Sequence, residues 1–402
     1  MKKACVVISY WYLSVPIYLS LKELYPKYDW KLIDPNEFMG MDTNNIFRKN
    51  KSQKIKGYTL INTGLLSTIF KIKIFSPWLK SFLFYFFYSY YNSLLIEYFN
   101  KENFDHIVLT SDWFHSAKSI GSCSELCDKS ILIQPCYLDL WKRKLSVNKV
   151  ILPYPFVFAI KTFLRKKIFP LHPILKINET RFGFINKKVR LLIWDENLSE
   201  FYKEVGRKFE LISNPIYKSL FKKYKSYNVR NLDKGLPIVT LFPADYTLNF
   251  GIDYQEKLIA EYKLLFKDLS TNYEVRLKIH PNENILFWKK IFKTISSDKI
   301  IKEEDPHKVI FESDFIISTN SYSSVEALLI GTPCINLNPN SELISITNPE
   351  IYTKFSLLNA SDYKMAKNYI DKSLIDNNYQ KYLQDLSLKA KELLGQHPEI
   401  KL

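Results

Sequence analysis

Short apolar runs alternate with longer amphipathic stretches along most of this chain, which restricts it to an α/β fold built on parallel sheets. The runs Ala4–Ser9, Trp30–Ile33, Lys56–Ile61, His106–Thr110, Ser130–Gln134 and Val189–Trp194 read as strands. Val15–Tyr25 and Trp78–Phe99 between them have helical spacing. A polar stretch, Tyr224–Gly235, interrupts the series, and the pattern then restarts. Strands follow at Pro237–Phe242, Glu274–Ile279, Phe315–Ser318 and Cys334–Leu337, with helices at Tyr254–Leu269, Ile285–Ile295 and Ser323–Ile330. A series that stops and restarts predicts two Rossmann-like domains facing each other across a cleft, at 1–225 and 226–385. Residues 386–402 are expected to form a C-terminal helix that packs back on the first domain. With 402 residues, each half is long enough to bury its own core.

Composition narrows the chemistry. Only 10 glycines are present and none cluster, which argues against a P-loop or a dinucleotide fingerprint. The net charge of +16 favours an anionic partner such as nucleic acid, an anionic membrane or a phosphorylated substrate. An AT-rich coding sequence would give the same lysine excess, spread along the chain as it is here. Five cysteines with no Cys/His cluster around Cys123 and Cys127 argue against zinc and for buried free thiols in a reducing compartment. Ser9 and Ser14 interrupt the N-terminal apolar run, which reads as a first strand and helix rather than a signal peptide. The uncharged stretch Ser81–Ile96 has 16 residues, short of the about 18–20 that cross a bilayer. A cytoplasmic protein is expected, with peripheral contact on the inner face of the membrane as an option. Two segments suggest that contact: the aromatic Phe70–Phe99 and the basic clusters of Trp141–Lys188. A buried crossover helix is the preferred reading of the first, and a solvated loop is an equal reading of the second.

Chemistry concentrates in the second half. His280 stands at the carboxyl end of a strand, where open α/β sheets place ligands, and Pro281 ends that strand. A histidine there donates a hydrogen bond or a charge to a phosphate or a sugar carboxylate. Further on, a strand runs into a turn bearing Ser318, Thr319, Asn320, Ser321, Ser323 and Ser324, and then into a helix. Hydroxyls, backbone N–H groups and the helix dipole together favour an anion at such a turn. Glu326 suits ribose hydroxyls, although its spacing from Ser323 also fits a capping box. Asp245, Tyr246 and Thr247 follow the first strand of this half as candidates for a donor-phosphate loop.

In the first half, Asp112 follows the strand His106–Thr110 and is the best placed general base, with His115 as helper or substitute. Asp112 also fits a helix N-cap. Tyr10 and Trp11 follow the first strand and suit stacking on an acceptor sugar. No Asp-x-Asp pair stands on a suitable loop, so a metal-independent reaction without further cofactor is expected, with His280 and the helix terminus stabilising the leaving phosphate.

A strand-end His-Pro, a Ser-rich turn, Glu326-Ala327 and Gly331-Thr332-Pro333 together resemble the donor half of bacterial GT-B glycosyltransferases of surface polysaccharide synthesis. The nearest likeness is to sialyltransferases, polysialyltransferases and capsule Kdo transferases, over about Pro237–Pro339. Asp195-Glu196-Asn197 and Ser213-Asn214-Pro215 resemble the end of the first domain in such enzymes. The resemblance implies a GT-B fold, CMP binding by His280, Pro281, Ser321, Ser323 and Ser324, and transfer of sialic acid or Kdo to a lipooligosaccharide or capsule glycan. The chain departs from that pattern by lacking the acidic-acidic-Gly motif that carries the base. Transfer from a UDP-sugar or a CDP-polyol uses the same architecture, and Tyr322-Ser323-Ser324-Val325 echoes the latter group. A UDP-sugar 2-epimerase would want a Gly-rich turn where Tyr322-Ser323-Ser324 stands. A nucleic-acid-binding protein fits the charge, but no recognition motif supports it and nucleic acid is not an expected partner.

Overall fold

The computed structural model describes residues 1–9, 11–35, 55–62, 87–111, 115–134, 185–194, 196–224, 235–244, 252–280, 283–302, 304–319, 321–339, 358–395, 398 and 400–402. The chain divides into two compact units. Unit 1 comprises Met1–Leu138, Ile160–Ser219 and His397–Leu402, and unit 2 includes Leu220–Gln396.

Unit 1 holds strands β1 (Lys2–Val7), β2 (Tyr28–Asp34), β3 (Tyr58–Leu60), β4 (His106–Leu109), β5 (Ser130–Ile133), β6 (Arg190–Ile193) and β7 (Glu210–Leu211). They lie in the order β3-β2-β1-β4-β5-β6-β7, each pair parallel. Helices α1 (Trp11–Leu24), α2 (Tyr88–Glu102), α3 (His115–Ser122), α4 (Ser124–Asp128) and α5 (Glu196–Glu204) connect them. Ala4, Cys5, Val6 and Val7 in β1 are all buried, as a parallel strand covered on both faces requires. In α2, Tyr88, Tyr91, Leu95 and Phe99 form one buried stripe at helical spacing. This part of the aromatic segment is therefore packed helix, and 70–86 lie outside the described residues. Helix α6 (Pro215–Lys223) leads into unit 2, with Pro215 at its start and Asn214 Oδ1 accepting from the Ile216 N–H at 2.9 Å.

Unit 2 repeats the plan with β8 (Ile238–Phe242), β9 (Glu274–Lys278), β10 (Ile300–Ile301), β11 (Phe315–Ser318), β12 (Cys334–Leu337) and β13 (Leu358–Ala360). Their order is β10-β9-β8-β11-β12-β13, again parallel throughout. The helices are α7 (Ile252–Leu269), α8 (Ile285–Ile291), α9 (Pro306–Phe311), α10 (Tyr322–Ile330), α11 (Tyr363–Ile375) and α12 (Asn377–Gly395). One face of α7, carrying Tyr254, Leu258, Tyr262, Leu265 and Leu269, packs on the sheet beside the buried Trp288. The Gly331-Thr332-Pro333 sequence is a helix stop. Gly331 takes φ 97° as the left-handed C-cap of α10, its N–H bonding to Ala327 O and Leu328 O.

The C-terminal helix begins at Asn377 and packs on α10 and α11, with Ser387 Oγ donating to Leu328 O. Beyond it, Pro398 O accepts from the Ser213 N–H at 3.0 Å, and Ile400 is buried. Cys5, Cys123, Cys127 and Cys334 are free thiols. Burial pushes the Cys334 thiol up to about 11 and the Cys5 thiol well above its usual value. Among the described residues, no helix is long and apolar enough to cross a membrane.

A buried hydroxyl chain ties α7 to the sheet. Thr319 Oγ1 donates to Leu337 O at 2.8 Å, so the Tyr262 hydroxyl, 3.0 Å from Thr319 Oγ1, must be the donor to Thr319. Burial raises the Tyr262 pKa and keeps that proton in place. Tyr262→Phe should cost about 1 kcal/mol and Tyr262→Ala about 3–5 kcal/mol. Urea unfolding checks this, through a lower midpoint at unchanged slope.

Candidate functional site

In unit 2, the connection from β8 leaves toward β9 and the one from β11 leaves toward β12, so the strand order reverses between β8 and β11. The carboxyl ends of two such strands open a crevice, the usual ligand position in open α/β sheets. Pro243 and Ala244 follow β8, and Thr319 continues β11 toward α10. His280 follows β9 on the far side of β8.

The hydroxyls of the β11–α10 turn divide into two sets. Ser318, Thr319 and Ser324 are wholly buried. Ser318 Oγ lies 2.5 Å from Ser324 Oγ and 3.8 Å from Cys334 Sγ, and Thr319 sits between Tyr262 and Leu337. These three hydroxyls pin the turn to the core. Ser321 and Ser323 remain part-exposed at the helix start. Ser321 is the N-cap, its Oγ accepting from the Ser323 N–H at 3.2 Å. The first turn of α10 thus presents Ser321, Ser323 and a helix N-terminus to an anion.

His280 is solvent-exposed as a residue. Its pKa lies below the ordinary imidazole range because neighbouring protein desolvates the ring and because of the charges on Lys278 and Lys302. It is therefore neutral near pH 7 and offers a hydrogen bond rather than a charge. Both lysines were missed by the sequence reading. Lys278 is buried, its ammonium 2.9 Å from Lys302 O and 3.2 Å from Ile279 O, while Lys302 Nζ donates to Glu283 O at 2.8 Å. Two ammonium groups, each bonded to backbone carbonyls, stand beside His280 at the ends of β9 and β10, with the Glu283 carboxylate bonded to Trp288 Nε1 in the same segment.

Glu326 does not form the capping box with Ser323. Its Oε2 lies 3.3 Å from His307 Nε2, and His307 Nδ1 lies 3.7 Å from Asp305 Oδ1. Asp305 is the N-cap of α9 and also accepts from the His307 N–H at 3.1 Å. Burial lowers the His307 pKa, but the charge and hydrogen bond of Glu326 and the charge of Asp305 outweigh it, so the net shift is upward. The Asp305-Pro306-His307 helix start was the available signal for this pair, because Asp then Pro marks an N-cap and N1.

Unit 1 has its own reversal, between β1 and β4. There Thr110 Oγ1 lies 2.7 Å from both Ser9 Oγ and Ser14 Oγ, and Ser14 Oγ accepts from the Ser9 N–H at 3.0 Å. All three residues are buried, so this network fixes the ends of both strands against α1. Tyr10, Asp112, Asp245, Tyr246, Thr247, Pro281 and Asn320 lie outside the described residues. Trp11 opens α1 and His115 opens α3, with side chains outside the described set. Among the described residues, no group of three or more His, Cys, Asp or Glu side chains is placed to hold a metal.

Sequence comparison finds no matching protein-family model and no matching curated protein. Structural comparison does find relatives of the fold. A putative UDP-N-acetylglucosamine 2-epimerase from Listeria monocytogenes is 13% identical over 100% of both chains, with a TM-score of 0.55. The Neisseria meningitidis UDP-GlcNAc 2-epimerase, solved bound to UDP-GlcNAc, is 11% identical over 98% of this chain and 99% of its own, with a TM-score of 0.52. The S. aureus MnaA structure with UDP is 13% identical over 100% of both chains, at 0.52. These likenesses, with the two parallel sheets, place the chain in the GT-B class of α/β folds with two Rossmann-like domains.

The His307 pair has a signed consequence for stability. A histidine whose folded pKa is raised stabilises fully below its unfolded value, about 6.5, and that stabilisation is lost as pH rises through the folded value. The melting-temperature gap between wild type and His307→Gln should therefore be wider at pH 6 than at pH 9. An equal gap at both pH values would show that the pair carries no such charge.

Proposed function

We propose that unit 2 binds the nucleotide of an activated sugar at its β8/β11 reversal and that the chain is a glycosyltransferase. What supports this reading is that His280, Lys278, Lys302 and the Ser321-capped start of α10 all stand at the carboxyl end of one parallel sheet. That set suits a nucleotide phosphate. Neutral His280 donates to a phosphate oxygen, and the two lysines and the helix terminus offset the charge that builds as the phosphate leaves. Ser318, Thr319 and Ser324 serve by holding the turn in place. Glu326 pairs with His307 through one oxygen, and a carboxylate keeps a second oxygen able to accept from ribose hydroxyls.

In the reaction we assign, the acceptor hydroxyl oxygen attacks the anomeric carbon, and the bond from that carbon to the phosphate oxygen breaks. The nucleotide leaves with the electron pair, and Asp112 takes the acceptor proton with His115 in support. Tyr10 and Trp11 stack on the acceptor, a glycan or glycolipid of the cell surface. The likeness carried by His280 and the serines favours a CMP-linked acidic sugar, sialic acid or Kdo. A UDP-linked sugar is the second donor reading, favoured by the UDP and UDP-GlcNAc bound in the structurally similar proteins. Epimerisation of a UDP-sugar is the competing reaction, supported by whole-chain likeness at TM-scores of 0.52–0.55. Against it stand Tyr322, Ser323 and Ser324, side-chain-bearing residues where a Gly-rich turn is expected.

A nucleotide at 100 times its Kd should raise stability by about 2.7 kcal/mol, read as a thermal shift. CMP and UDP tested side by side name the donor class. His280→Ala should weaken the preferred nucleotide roughly tenfold or more, through loss of a hydrogen bond to a charged group. No shift with either nucleotide would refute the site.

Asp112→Asn should keep the nucleotide shift and lose about 10²- to 10⁴-fold in transfer rate. NMR of a UDP-sugar incubated without acceptor separates the competing reaction, because an epimerase forms the 2-epimer and a transferase leaves the sugar's configuration intact.

A further inference from the structure

A second basic feature lies in unit 1, at the amino-terminal ends of β6 and β7. A cavity of about 700 Å³ opens there, with Val189, Leu191 and Tyr202 forming its apolar floor. Lys187, Lys188, Arg190, Lys203, Arg207 and Lys208 line it. Its lining carboxylate is Glu210, and this is already engaged: Arg190 grips it in a two-pronged pair at 2.7 and 2.8 Å. That pair lowers the Glu210 pKa and raises that of Arg190, as mutual stabilisation requires. Arg190 also donates to Lys401 O at 2.8 Å. Beyond that pair, the cavity is lined by the four lysines Lys187, Lys188, Lys203 and Lys208 and by no second carboxylate.

The wall of the cavity is built by Arg207. This guanidinium is buried and donates to four backbone carbonyls, of Asn186, Lys187, Val189 and Lys208, at 2.6–3.3 Å. It thereby staples the segment before β6 to the segment before β7. Those segments hold Lys187, Lys188 and Lys208, and Lys203 stands at the end of α5 beside them. Lys188 Nζ reaches Ser124 Oγ at 2.7 Å, a neutral partner that leaves its charge in place. Lys187, Lys188, Lys203 and Lys208 are exposed, so their ammonium groups stand around the cavity rather than inside the core. Four lysines with like charge, brought together by a buried arginine, repel one another unless an anion sits among them.

We propose that this cavity is a binding site for a phosphate-bearing anion, separate from the nucleotide site of unit 2. Its size falls within the about 300–1,000 Å³ usual for small-molecule sites. Lysine is a compact, adaptable point charge that binds phosphate without demanding one fixed geometry. The position is at the sheet edge opposite the carboxyl ends where α/β folds place reacting groups, so the site holds or positions a phosphorylated molecule rather than transforming it. The shared chemistry admits two sources, a soluble polyphosphate or the headgroup of a phospholipid.

The test is titration of the full chain with inorganic tripolyphosphate by calorimetry, together with sedimentation against phosphatidylglycerol vesicles. The variant Lys203→Glu with Lys208→Glu changes exposed side chains only. Lys257→Glu with Lys263→Glu makes the same change of net charge on the exposed face of α7. The groove variant should bind tripolyphosphate about tenfold or more weakly than wild type, while the α7 variant is unchanged. Nucleotide thermal shifts should be the same in all three proteins. Should charge reversal unfold the chain, Lys203→Gln with Lys208→Gln gives the same comparison. Co-sedimentation with vesicles that the groove variant loses identifies a lipid headgroup, and binding of tripolyphosphate alone identifies a soluble phosphate. Absence of wild-type binding to both probes, or equal loss in both charge variants, overturns the proposal.

Discussion

The second unit depends on three buried hydroxyls at the end of β11. Ser318, Thr319 and Ser324 sit in a core where an unpaired hydroxyl costs about 1–3 kcal/mol. Ser318 on β11 and Ser324 on α10 satisfy each other, and Thr319 bonds to both Tyr262 on α7 and Leu337 on β12. The same contacts that remove a folding penalty therefore fix the direction in which α10 leaves the sheet. A helix N-terminus attracts an anion only when it is held still and open, and here the buried hydroxyls hold it while Ser321 and Ser323 keep its mouth polar.

The same logic recurs in the first unit, where Ser9, Ser14 and Thr110 lock the ends of β1 and β4 to the start of α1. Both units use one strand plan, with the reversal beside the first strand of each sheet. In both, small hydroxyl side chains do at the reversal what backbone ladders do elsewhere in the sheet.

Much of this was legible before any coordinates. The ten runs read as strands all contain strands, most of them because a parallel strand buried on both faces must be apolar along its length. The exceptions are β3, part-exposed at a sheet edge, and β9, with the part-exposed Glu274 and Arg276 and the charged Lys278. The missed strands β7, β10 and β13 have two or three residues and stand at sheet edges. One hydrogen-bonded neighbour and partial exposure leave no apolar run to see. The place of His280 after a strand and of the serines between a strand and a helix was visible in the sequence. The division of the serines was not, since serine suits a satisfied core and a ligand turn equally well. The cap fell on Ser321 rather than Ser323, a two-residue shift that freed Glu326 for His307. That pairing joins α9 to α10, and its one local sign is the Asp305-Pro306 helix start that places His307 in the first turn of α9. Lys278 and Lys302 were overlooked. Their meaning lies in the carbonyls that hold them beside His280.

The central claim is that a nucleotide sits at the β8/β11 reversal of unit 2. Hydrogen–deuterium exchange of the whole chain, with and without saturating nucleotide, tests it most directly, because it reports position as well as binding. Protection should appear at 243–244, 279–283 and 319–326, the segments that follow β8, β9 and β11. Protection confined to unit 1, or none at a saturating concentration, would contradict the account.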